Sequence, residues 1–223
     1  MATKTKAAGV NRLNGSDKPA PKASIIAAPN LQAGLFHIYG TAPYVQNKFS
    51  GTKRKQMLAA QMATKATSRK AKDPRDPDAD YLGAQHLTKD GKHGIPAPAF
   101  RAAMISACRV AGFQMTKAKL SVFVIADDLD FDDGTPLVFI NGVPEMHEAA
   151  VRLESGVASI AFRPMWREWS ADVKIQWDGD QFSQQDVVNL LERAGNQVGI
   201  GEGRHDSRKS IGMGWGTFTL IQP

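Results

Sequence analysis

The order of periodic apolar segments in this 223-residue chain predicts an α+β fold, with a β-α-β-β-α-β core once one insertion is set aside. Three observations carry the prediction. An alternating, β-rich segment opens the domain at residues 32–40. Two helical segments at 95–112 and 183–195 carry apolar stripes at helical spacing, with strand-like runs between and after them. A glycine-rich stretch at 199–214 then leads into one last strand. This is the split βαβ order of ferredoxin-like (RRM-like) folds, in which one sheet face takes both helices and the other stays open for a ligand.

Each element has its own reason. Residues 1–30 mix Ala, Lys, Pro and Gly without periodicity and read as a flexible basic arm, leaving 31–223 as a single domain. Gln32 to Gly40 (QAGLFHIYG) is the first strand, and GTAPYVQNKF after it is a turn or loop. Thr52 to Lys72 holds good helix formers, but its apolar content is thin (Met57, Leu58, Met62), so it predicts a cationic helix outside the core. Asp73 to Asp80 (DPRDPDAD) reads as a break that closes a basic insertion at about 48–80. Ile95 to Gly112 predicts a buried helix, with Pro96 and Pro98 near its start and a stripe of Phe100, Met104, Ala107, Cys108 and Ala111. Leu120 to Ala126 and Leu137 to Asn141 are strands joined by an acidic turn. Val157 to Arg163 and Ala171 to Trp177 are expected to pair as a hairpin, the second presenting Ala171, Val173, Ile175 and Trp177 on one face. Ser183 to Gly195 is the clearest helix: Ser183 caps, Asp186 completes a box, Gly195 stops it, and Val187, Leu190, Leu191 and Ala194 form its stripe. Trp215 to Ile221 is the last strand.

Composition narrows the function. A 42% hydrophobic chain of this length can bury a core without staples, and the single Cys108, lying among apolar neighbours, excludes a disulfide scaffold and multi-Cys metal sites. No apolar run is long enough to span a membrane, and the opening MATKTKAAG lacks the apolar region of a secretory signal, so a cytoplasmic protein without a membrane partner is expected. His37, His86, His93, His147 and His205 make no ligand pattern. The turn DDLDFDDG sets Asp128, Asp130 and Asp132 at positions one, three and five of a calcium loop. Asp133 then stands where Gly is needed and Phe139 where Glu is needed. No metal or cofactor is expected.

Charge is unevenly placed. Residues 1–24 carry five cations against Asp17, a net of +4, and residues 48–72 carry eight cations with no acid; of the overall +6, this leaves the rest of the chain at −6. Two basic segments on an acidic body are the footprint of a polyanion partner. The candidate contacts in the insertion are Lys48, Phe49, Lys53, Arg54, Lys55, Lys65, Arg69 and Lys70. In VGIGEGRHDSRKSIGMGWGTF, Gly201 and Gly203 would let backbone N–H groups approach phosphate, with Arg204, Arg208 and Lys209 adding charge. Neither a dinucleotide fingerprint nor a P-loop spacing is present. Arg163, Trp166 and Arg167, at the expected hairpin tip, form a third cluster, in which an aromatic stacks a base while guanidinium groups hold phosphate; the alternative is that Trp166 and Trp169 finish the core. The acidic turn could also meet the basic insertion of a neighbouring copy in a head-to-tail assembly.

A last helix, paired-glycine segments and a final strand on this frame resemble the RAMP superfamily, which includes the backbone subunits of CRISPR effector complexes. LFHIYGTAPYVQNKFSG, GIPAPAFRAAMISACR, FRPMWREWSADV and NLLERAGNQVGIGEGR also resemble a group of phage-type proteins, so that the resemblance spans about residues 32–221. It implies side-by-side polymerisation, as a helical or ring oligomer, along single-stranded nucleic acid. The insertion at 48–72 would stand where such proteins carry an extra gripping element. The phage-like segments imply an ssDNA-binding or annealing protein of replication or recombination, DNA favoured over RNA, in the host cytoplasm. The same frame could coat a guide RNA, serve as a phage structural protein, or cut RNA with His205 as general base, His being the usual base of RNA-cutting relatives. The reading adopted is non-enzymatic binding.

Overall fold

The computed structural model describes residues 27–49, 51–62, 76–152, 158–207 and 212–220. Along the chain run β1 (Leu31–Gly40), β2 (Tyr44–Val45), α1 (Gly51–Met62), α2 (Pro77–Gly83), β3 (Gly94–Pro96), α3 (Ala97–Ala111), α4 (Met115–Ser121), β4 (Val122–Ile125), β5 (Asp128–Leu129) and β6 (Pro136–Asn141). They are followed by β7 (Glu145–Arg152), β8 (Ala158–Trp166), β9 (Ser170–Asp178), α5 (Gln184–Arg193), a π-helical turn (Ala194–Val198) and β10 (Phe218–Leu220). The fold is α+β.

The main sheet is antiparallel and places β10, β1 and β9 side by side, with β4 and β6 sharing the far edge of β9. β1 and β9 stay in register from Leu31 opposite Asp178 to Tyr39 opposite Ser170. β4 covers β9 from Ile125–Lys174 to Val122–Trp177, and β6 takes over at Ala171 and Ser170. Counting β1, α3, β4, β9, α5 and β10 as the frame, the strand order is four-one-three-two, the ferredoxin-like arrangement. The alternation of β9 drives one face inward: Ala171, Val173, Ile175 and Trp177 meet Phe100, Met104 and Cys108 of α3 and Val187 and Leu191 of α5. Each such large apolar side chain contributes about 1.5–3 kcal/mol on burial. Ala111, expected in the α3 stripe, is exposed. The opposite face bears Leu35 and Tyr39 of β1 and Phe123 and Ile125 of β4, all exposed.

The expected hairpin of 157–163 with 171–177 does not form. β8 pairs instead with β7 on one side and with Tyr44–Val45 on the other, making a second, three-stranded sheet. The strand that takes its place was hidden because EMHEAAVR, the sequence of β7, is poor in β-branched and aromatic residues; eight cross-strand pairs override that propensity. The segment read as a break, DPRDPDAD, contains a helix start. Asp76 accepts hydrogen bonds from the Asp78 and Ala79 N–H groups, and Pro77 opens α2. No helix among the described residues is long and apolar enough to cross a membrane.

Candidate nucleic-acid interface

The segment from Tyr44 to Phe49 fixes the foot of the basic insertion. Its alternation turns Tyr44, Gln46 and Lys48 into the body, where the Gln46 side chain donates to the Gly94 carbonyl and accepts from the His86 N–H. Lys48 Nζ lies 2.6 and 2.8 Å from the two oxygens of Asp130, and both side chains are buried. Asp130 also accepts from the Asp132 N–H at 2.8 Å and bonds His86 Nδ1 at 2.7 Å. Burial alone would raise the Asp130 carboxyl. The Lys48 hydrogen bond, then those of the Asp132 backbone and His86, outweigh it and hold the group below the usual carboxylate range. Burial pushes His86 down, with Asp130 opposing.

From this foot α1 leaves the core. Lys55, Gln56, Met57, Leu58 and Met62 are exposed, and the helix carries no acidic residue. Phe49 beside it is 52% exposed. Arg54 reaches back to the acidic turn, with Nη2 2.9 Å from Asp132 Oδ2 and 3.6 Å from Asp133 Oδ2. The acidic turn, expected to meet a neighbouring copy, thus meets the start of the insertion of its own chain. Lys65, Arg69, Lys70, Arg208 and Lys209 lie outside the described residues, as does the side chain of Lys53.

The glycine-rich loop is packed more closely than a phosphate cradle needs. A Cβ on Gly216 would sit 1.8 Å from the Ile200 carbonyl oxygen, and one on Gly201 would sit 2.5 Å from the Val45 carbonyl oxygen. Ile200 N–H donates to Gly216, Glu202 N–H to Val45, and Gly216 N–H to Pro43, so the loop seals β10 onto the β2 region. Gly203 packs on the Trp215 ring. Arg204 donates to the carbonyls of Gly201 (2.9 Å) and Asp206 (3.1 Å). Between the loop and α3 lies a cleft of about 150 Å³, lined in part by Ala99, Ala102, Ser106, Gly199, Arg204 and Asp206, with Arg109 paired to Asp206 at 2.6 Å.

The third cluster is corrected. Trp166 is fully buried, tilted against Tyr44 and edge-on to His93, and so offers no platform. Trp169 is buried and donates to the Ala42 carbonyl. Arg163 is mostly buried on Glu202 at 3.1 Å; only Arg167, paired with Glu145 at 2.8 Å, stands in solvent. Lys48 is likewise a buried structural cation, not a surface contact. The sequence pattern sets Asp130 in the acidic turn and His86 among the scattered histidines, and does not show that the fold joins both to Lys48. Asp130-x-Asp132-Asp133-Gly134 has the composition of an Asx turn, which could have marked Asp130 as an inward acceptor.

No protein-family model matches this sequence, and no curated protein matches it. Among solved structures the chain is similar to the crystal structure of Cmr6 from Pyrococcus furiosus, at 9% identity and a TM-score of 0.39, over 86% of this chain and 99% of that one. A likeness of that size supports no functional argument.

Proposed function

We propose that this chain binds single-stranded nucleic acid, DNA in preference to RNA, through its basic insertion, and that copies assemble side by side along the strand. The observation that carries the reading is α1: an exposed, acid-free cationic helix rooted in the body by a buried Lys48–Asp130 pair. A rigid root with an exposed cationic stem suits a group that grips a backbone without reading bases. Arg54 and Lys55, with Lys53, Lys65, Arg69 and Lys70 of the same segment, supply the charge, and exposed Phe49 at the root supplies a face for base stacking. Arg204, Arg208 and Lys209 of the glycine-rich loop and Arg167 form a second, weaker set. The role proposed is binding or annealing in phage DNA replication or recombination, without catalysis by the chain itself.

Fluorescence anisotropy with matched ssDNA, ssRNA and duplex DNA over a salt series tests it. The expected result is binding to ssDNA with an affinity that falls steeply with salt. A strong RNA preference would move the reading to a guide-RNA coat. Assembly of nucleic-acid-free protein with no binding to any probe would move it to a structural protein.

A further inference from the structure

The contact between α1 and the acidic turn does more than brace the helix. Arg54 has a planar fork of donors suited to bidentate acceptors, yet it meets Asp132 through Nη2 at 2.9 Å, while its Nε, buried, has no hydrogen-bond partner. The carboxylate of Asp132 also sits where a Cβ on Gly51, the first residue of α1, would fall, 2.4 Å from its Oδ1. Asp133 adds a second carboxylate at 3.6 Å from Arg54. Two anionic groups therefore occupy the approach to Arg54, on a helix that itself carries no acid. Asp132 Oδ2 also lies 3.5 Å from Lys48 Nζ, but the Lys48 and Asp130 side chains are buried, whereas those of Arg54 and Asp132 are 39% and 30% exposed. An exposed pair is worth at most about 1 kcal/mol and is open to exchange.

We propose that Asp132 and Asp133 occupy, in the free chain, the place of a nucleic-acid phosphate at Arg54, so that the acidic turn is a built-in competitor which the bound strand displaces. This rests on the polyanion reading above. The incoming phosphate takes the place of the carboxylates at Nη2. The deeper Lys48–Asp130–His86 group keeps the helix rooted while the exchange occurs. The turn thereby sets a threshold: weak or sparse anions do not open it, and a continuous phosphate backbone does.

The test compares labelled oligothymidylate binding by the full chain, by Asp132→Asn/Asp133→Asn, and by Asp178→Asn/Asp180→Asn, which removes the same charge from the turn before α5. At low salt the first variant should bind about fivefold tighter than the charge-matched control, the size of one exposed ion pair. If the original chain binds and the two variants bind alike, the competitor is refuted while the binding reading stands. If none of the three binds, the binding reading fails and the competitor with it. Should the double variant melt, Asp133→Asn alone, which keeps the carboxylate beside Gly51, should still bind about twofold tighter than Asp180→Asn; equality there also refutes the competitor.

Discussion

The glycine-rich loop and helix α1 both carry cations, and they hold them differently. In the loop Arg204 donates to two backbone carbonyls, which are neutral, so its charge persists but its position is set by the loop it closes. In α1 Arg54 faces carboxylates, so its charge is cancelled but exchangeable. The backbone follows the same division. The loop threads glycines against carbonyl oxygens at distances no side chain tolerates, whereas α1 stands away from the core. Clustered glycine and arginine can therefore signal tight closure of a fold as readily as a ligand cradle. What separates the two is whether backbone or solvent surrounds them.

Substitutions break this comparison at different depths. Gly216→Ala should have the largest effect: a Cβ 1.8 Å from the Ile200 oxygen, at φ +66°, forces the loop open, at a cost of about 4 kcal/mol or more seen as loss of cooperative melting. Gly214→Ala, two residues earlier, meets only the exposed His205 ring at 3.2 Å and should cost about 1–2 kcal/mol for its positive φ. Equal effects would mean the loop is not sealed as described. Asp130→Asn leaves buried Lys48 with only Asp132, 3.5 Å away, as counter-charge and should destabilise by about 3 kcal/mol, while Lys48→Met with Asp130→Leu should recover only part of that loss, since the Asp132 N–H and His86 lose their acceptor.

A pH titration of stability sharpens the same contrast. Burial depresses His86 and His93, so the unfolded chain takes up protons first, and stability falls as pH drops below the ordinary His value of about 6.5. The Asp130, Asp133 and Glu192 carboxyls are also depressed. Their contribution is present above the ordinary carboxylate value of about 4 and is lost as pH falls through their lower native values. The melting temperature should thus decline in two stages, and replacing His86 and His93 by Gln should remove the first. A melting temperature constant from pH 7 to 5 would contradict the buried root. Arg167→Ala, which removes an exposed pair with Glu145, should change stability by less than about 0.5 kcal/mol.

The frame was legible in the sequence because its signals are local. The β9 alternation, the Ser183–Asp186 capping box and the α3 stripe each follow from spacing and survive folding almost unchanged. The second sheet was not legible, since β7 owes its existence to partners on β8 and not to its own composition. For the site, net charge pointed to the insertion, but which cations remain in solvent was decided by a contact between residues 82 positions apart, Lys48 and Asp130, that no local pattern encodes. Trp166 illustrates the same limit: beside two arginines it reads as a stacking residue, and Tyr44 and His93, distant in sequence, bury it.

The most direct test of the central claim, that the insertion grips a nucleic-acid backbone, is the salt dependence of ssDNA binding for the original chain beside Lys53→Gln/Arg54→Gln/Lys55→Gln. The expected result is weaker binding and a salt slope shallower by about 2, as three phosphate contacts are lost. A triple variant with unchanged affinity and slope would contradict the claim and place any binding elsewhere on the chain.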